Sequence, residues 1–158
     1  MPFGHDSLTS ESLTAATSHI SPGGYFEIQD FSYPARCDDN TMTPDSAIVE
    51  WCNLTLKAAA TAGRPLFPTS EYKNYLRDAG FEDIVETVHL WPTNRWPKDP
   101  RHKDIGSWCL ANLEGGLEGI TTAHFTRALG WTVPEVLALC ARVRKELRDP
   151  KIHVYFPM

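Results

Sequence analysis

Along the chain the hydrophobic positions change period several times, and each change predicts an element. Tyr25-Phe26-Glu27-Ile28-Gln29-Asp30-Phe31 is rich in aromatic and β-branched side chains, and Glu27 and Gln29 alternate onto one face, which predicts a strand. From Asp45 to Ala60 the period lengthens. Ile48, Trp51, Cys52, Leu56 and Ala59 fall on one helical stripe, and Gly63 and Pro65 stop it. A second helix is expected from Ser70 to Ala79, with Tyr72, Tyr75, Leu76 and Ala79 on one face and Gly80 as its C-cap. Phe81 to Trp91 returns to period two, with Ile84, Glu86, Val88 and Leu90 on one face and Val85, Thr87 and His89 on the other, so a strand is expected.

Three prolines and Trp96 make residues 92–100 a loop. Arg101 to Leu117 reads as a helix with Ile105, Trp108, Cys109, Asn112 and Leu113 on one stripe, weakened at its end by Gly115, Gly116 and Gly119. A short helix is expected from Thr122 to Leu129. Thr132-Val133-Pro134-Glu135 has the spacing of a capping box and opens a helix with Val136, Leu139, Cys140, Val143 and Leu147 inward. Pro150 ends it, and Ile152 to Phe156 reads as a last short strand. Upstream, Leu13 to Ile20 is expected to be a short helix, Ser21-Pro22-Gly23-Gly24 a turn, and residues 1–12 flexible. Strands interleaved with helices place the chain in the α/β (α+β) class as a single domain over 1–158.

Composition narrows the function. The 158 residues are 42% hydrophobic and 22% charged, as in a folded domain, and can bury one real core. A net charge of −5 argues against a general nucleic-acid or anionic-membrane surface. No apolar run is long enough to span a bilayer, and Met1 to Ser10 has no export-signal pattern, so a cytoplasmic chain is expected. The four cysteines are scattered and are expected to be reduced thiols. Six histidines without i,i+4 pairing or a carboxylate at ligand spacing give no metal site.

Read together, several short motifs keep a characteristic order. They are Ser21-Pro22-Gly23-Gly24-Tyr25-Phe26-Glu27-Ile28-Gln29-Asp30, Asp78-Ala79-Gly80-Phe81 and Trp96-Pro97-Lys98-Asp99-Pro100. Gly130-Trp131 with Glu135-Val136 follows, then the run from Arg144 to Pro157. In this order the chain resembles, from about Ser18 onward, the carboxy-terminal half of fungal class I (Rossmann-like) S-adenosylmethionine methyltransferases. The branch is that of secondary-metabolism regulators and natural-product tailoring enzymes. The resemblance implies a truncated fold with about three strands, the family's strands five, six and seven. Residues 92–149 would be a helical insertion roofing the acceptor pocket. The chain has no strand followed by a G-x-G-x-x-G turn, so no cofactor-binding residue is assigned and no cofactor is expected. The strand-four edge would be bare, which predicts a homodimer through the strand around Tyr25 to Phe31.

The resemblance also places the acceptor site beyond the carboxyl ends of the strands. Candidate hydrogen-bonding residues there are Asn112, His89, Arg95, Tyr33 and His124. Candidate substrate-lining residues are Gln29, Asp30, Trp91, Trp96, Trp108 and Phe125. Asn112 stands on an apolar stripe, where it is either satisfied by local backbone or donates to a substrate carbonyl. The tryptophans belong either to the core or to the walls of a pocket for an apolar ligand. Three functions fit these residues. The leading one is a cofactor-independent cyclase of Diels–Alder type acting on a terpenoid or polyketide, with an apolar cavity and one or two activating hydrogen bonds. The second is a methyltransferase fragment that needs a partner half carrying the cofactor site. The third is a non-catalytic interaction protein.

Overall fold

The computed structural model describes residues 17–66 and 69–158. The expected flexible segment 1–12 lies outside them, as does half of the helix expected at Leu13 to Ile20. Three long helices dominate: α1 (Ala47–Thr61), α3 (Pro100–His124) and α4 (Val133–Arg148). A 3₁₀ turn (Thr69–Glu71) leads into the short α2 (Tyr72–Asp78). Strands β1 (Leu90–Pro92) and β2 (Tyr155–Pro157) form a two-stranded antiparallel sheet, with Trp91 opposite Phe156.

The helices start and stop where their chemistry says. Ser46 caps α1, its hydroxyl accepting from the Ile48 amide at 3.2 Å. At the other end Gly63 and Gly80 adopt positive φ beyond α1 and α2, closing both with the paired back-bonds of a Schellman motif. The Thr132 amide and hydroxyl both donate to Glu135, at 2.8 and 2.6 Å, so the expected capping box opens α4. All five residues expected to face inward on α4, Val136, Leu139, Cys140, Val143 and Leu147, are buried. They meet Ile48 and Trp51 of α1 and Leu117 of α3 in one core. Burying each large aliphatic side chain stabilises the fold by roughly 1.5–3 kcal/mol over leaving it exposed.

Other expectations need correction. The strand expected at Tyr25 to Phe31 does not form, and the one expected from Phe81 to Trp91 is reduced to Leu90–Pro92. Strand propensity is realised only against a partner, and β2 pairs with β1 but not with Tyr25 to Phe31. It is three residues long, so β1 pairs only as far as β2 lasts, with one further reciprocal bond pair between His89 and Met158. On the other side of β2 the chain after Phe31 makes only a Ser32 amide bond to the Pro157 carbonyl and an isolated bridge between Arg36 and Tyr155. β2 is thus flanked on both sides, but only one flank is a strand. The expected dimer through Tyr25 to Phe31 loses its regular edge. The glycines of α3 do not end it either: it runs on to His124, a π-helical turn covers Phe125–Leu129, and Gly130 at φ 72° closes the run.

Gly106 fixes where α3 sits. A Cβ at this position would lie 1.9 Å from the Asn94 carbonyl oxygen, so only glycine lets the helix approach the loop after β1. The Asn94 side chain ties that loop to the end of α4. It donates to the Leu147 and Asp149 carbonyls at 2.9 and 3.1 Å and accepts from the Trp96 amide at 2.9 Å.

Candidate functional site

Clamped at Gly106, α3 leans over the sheet and leaves a cleft of about 850 Å³. The floor is aromatic. Phe31 meets Trp91 edge-on at 5.3 Å and Phe156 at 6.1 Å, and Tyr33 packs on Phe156 at 5.4 Å. These side chains come together because Trp91 and Phe156 are directly opposed across the sheet and Phe31 precedes the Ser32 bond to Pro157. The helical wall is one stripe of α3: Arg101, Ile105, Trp108 and Asn112, at i, i+4, i+7 and i+11, backed by Cys109 and Leu113. Leu90 and His89 complete the rim.

Of the candidates named from sequence, the fold gathers Tyr33, His89, Trp91, Trp108 and Asn112 around this cleft. Trp108 is 78% exposed, as a wall residue of an open cleft and unlike a core tryptophan. Asn112 is also exposed, so it is not the buried amide expected. Burial pushes the Tyr33 phenol well up from its ordinary value, with Cys52 adding to the shift, so it stays a neutral hydroxyl. Burial likewise pushes the Cys109 thiol up to about 11, which makes it a poor nucleophile.

The remaining candidates lie elsewhere. Arg95 reaches across to α3, with its guanidinium 2.8 Å from the Ser107 hydroxyl and 3.7 Å from Asp104. Trp96 stacks on His153 at 4.9 Å and donates its indole N–H to the Val154 carbonyl at 3.0 Å. His124 is exposed, with ring Nδ1 2.7 Å from the Ile120 carbonyl oxygen. Phe125 is fully buried at 0% exposure and belongs to the core. Gln29 donates to Glu27, and Asp30 accepts from the Tyr72 hydroxyl at 2.5 Å, in a second hollow beside α2. Sequence reasoning missed Arg101 and His102 at the cleft. The signal was present: Arg101 is in register with Ile105, Trp108 and Asn112 on the same helical stripe.

The described residues do not form a cradle for S-adenosylmethionine. That cofactor's usual site needs a strand that turns through glycines into a helix. Here β1 leads into α3 through Thr93 to Asp99, which holds no glycine. The start of α3 is already filled, by Pro100 and by the Asp99 carboxylate accepting from the His102 amide at 2.9 Å. α1 is filled by Ser46 and by Glu146, which accepts from the Ala47 and Ile48 amides at 2.9 and 3.1 Å. α4 is filled by its own capping box. Among the described residues no group of His, Cys, Asp or Glu gathers to hold a metal ion, and no helix is long and apolar enough to cross a membrane.

Comparison with known proteins agrees with the resemblance read from the motifs. The chain is 32% identical over 143 residues to a probable methyltransferase of Emericella nidulans, covering 90% of this chain and 45% of the relative. It is 40% identical over 140 residues to a secondary metabolism regulator of Cochliobolus heterostrophus, covering 87% and 46%. It is 34% identical over 139 residues to a methyltransferase of Aspergillus terreus, covering 88% and 43%. No family model matches the chain, and no solved structure does. The chain is therefore homologous to the fungal methyltransferases and secondary-metabolism regulators, and it spans a little under half the length of the curated relatives it matches.

Proposed function

We propose that these residues form the acceptor-binding part of a methyltransferase of fungal secondary metabolism, and that the cofactor-binding part is supplied by polypeptide outside them. What supports this is the α3 cleft. It is an aromatic-floored groove lined by a neutral phenol, an imidazole and an amide, and it lies in a chain whose relatives carry methyltransferase names. Its role is to bind and orient. The aromatic floor holds a flat apolar body by area burial and stacking. Tyr33, His89 and Asn112 offer hydrogen bonds that fix its polar groups. A Diels–Alder cyclase that works without cofactor draws no support from relatives named as methyltransferases and regulators.

The test is calorimetric titration with S-adenosylmethionine of two proteins. One is the 158-residue chain; the other is a chimera joining it to the segment of the Emericella nidulans relative that it does not match. The chain alone is expected to give no binding heat, and the chimera to bind with micromolar affinity. Micromolar binding by the chain alone, or a folded chimera that binds nothing, overturns the reading.

A further inference from the structure

We propose that the α3 cleft is specific for a flat, fused-ring carboxylic acid, with the carboxylate on Arg101 and the ring system between Trp108 and the aromatic floor. This rests on the cleft being the acceptor site, and it names the class of acceptor.

Charge carries the argument. The chain holds 20 Asp and Glu against 15 Lys and Arg, yet no carboxylate lines the cleft. The ionisable groups that do line it, apart from the Tyr33 phenol and the Cys109 thiol, are Arg101, His102 and His89. The neighbouring groups on α3 are already matched. Asp104 faces Arg95, and Asp99 accepts from the His102 ring at 2.8 Å. Arg101 makes no ion pair among the described residues. An arginine fork without a carboxylate partner, beside an exposed tryptophan and an aromatic floor, suits a ligand carboxylate held by paired N–H bonds.

Geometry sets the shape of the ligand. Arg101 and Asn112 stand eleven residues apart on one helical stripe, about 16 Å along the axis. Ile105 and Trp108 lie between them, so the wall runs cation, apolar, aromatic, amide. A rigid ring body with an acid at one end and a hydrogen-bonding group at the other matches that order. A neutral hydrocarbon would leave both polar ends unused.

The test uses the 158-residue chain and calorimetry with 2-naphthoate and its neutral isostere 2-naphthamide. Naphthoate is expected to bind about tenfold tighter than the amide. Arg101→Gln, at an exposed position, should abolish that preference by weakening naphthoate far more than the amide. Trp108→Ala should weaken both ligands. Equal binding of acid and amide, an undiminished preference in the Arg101 variant, or no binding of either at millimolar concentration overturns the proposal. Loss of the acid preference while the chimera still binds S-adenosylmethionine would remove this inference alone. A retained preference with no cofactor binding by the chimera would remove the methyltransferase reading and leave the acid site standing.

Discussion

Gly106 decides how near α3 comes to the loop after β1, and the cleft exists because that contact is close on one side only. Gly106→Ala would drive a methyl group into the Asn94 carbonyl. Overpacking of this kind costs about 1–3 kcal/mol or more, so urea denaturation should show a clear loss of stability. A second residue-scale test concerns Asp39. Hydrogen bonds from Thr41, His153 and Cys37 hold its carboxyl well below the ordinary carboxylate range. A group depressed on folding stabilises above its unfolded value, near pH ~4, and that stability is lost as the pH falls further. Asp39→Asn should therefore flatten the acid limb of stability between about pH 4 and pH 2. An unchanged slope in urea midpoints across that window would show that the cluster contributes nothing. At this scale the site was legible where a helical period carried it. Trp108 and Asn112 share a stripe, and the fold places both at the cleft. Arg95 and Trp96 sit in a proline-rich loop with no period, and nothing local shows that one turns toward Ser107 and the other toward His153.

Among the elements, α3 is the least self-sufficient. Gly115 and Gly119 lie exposed in its interior, with nothing within 4 Å of a Cβ built on either. Its course is held instead by α4, through Arg144 on Glu118 at 2.6 Å and Arg148 on Glu114. Replacing both glycines with alanine should stabilise the fold by about 0.5–1 kcal/mol each, read as a raised melting temperature. No gain would mean that α3 is already fully held by packing. The contrast between α4 and the strands shows what the chain spells out locally. The pattern of α4 predicts its five buried residues because a helix satisfies its own backbone. A strand depends on its neighbour. Tyr25 to Phe31 has strand composition, but beyond Phe31 only Ser32 and Arg36 find β2, so the element is lost although the composition is right.

For the whole molecule, several apolar side chains outside the helices stand in the open. Tyr25 is 99% exposed, Val85 86% and Val88 57%. Open apolar positions of this kind promote association. The double substitution Val85→Lys, Val88→Lys should change folding stability by less than about 0.5 kcal/mol and reduce concentration-dependent association in sedimentation velocity. Equal association before and after would clear these positions of any role in pairing. The carboxylate that seats α1 has a separate consequence, one in time. Glu146 stands 100 residues beyond Ser46, whose hydroxyl it binds at 2.5 Å. A ribosome adding roughly 5–20 residues per second needs several seconds to deliver it. During that interval the nascent α1 has only its serine cap, and its Ile48 and Trp51 face has no α4 to lie against. α1 is thus made before α3 and α4, yet its seating is complete only when α4 arrives.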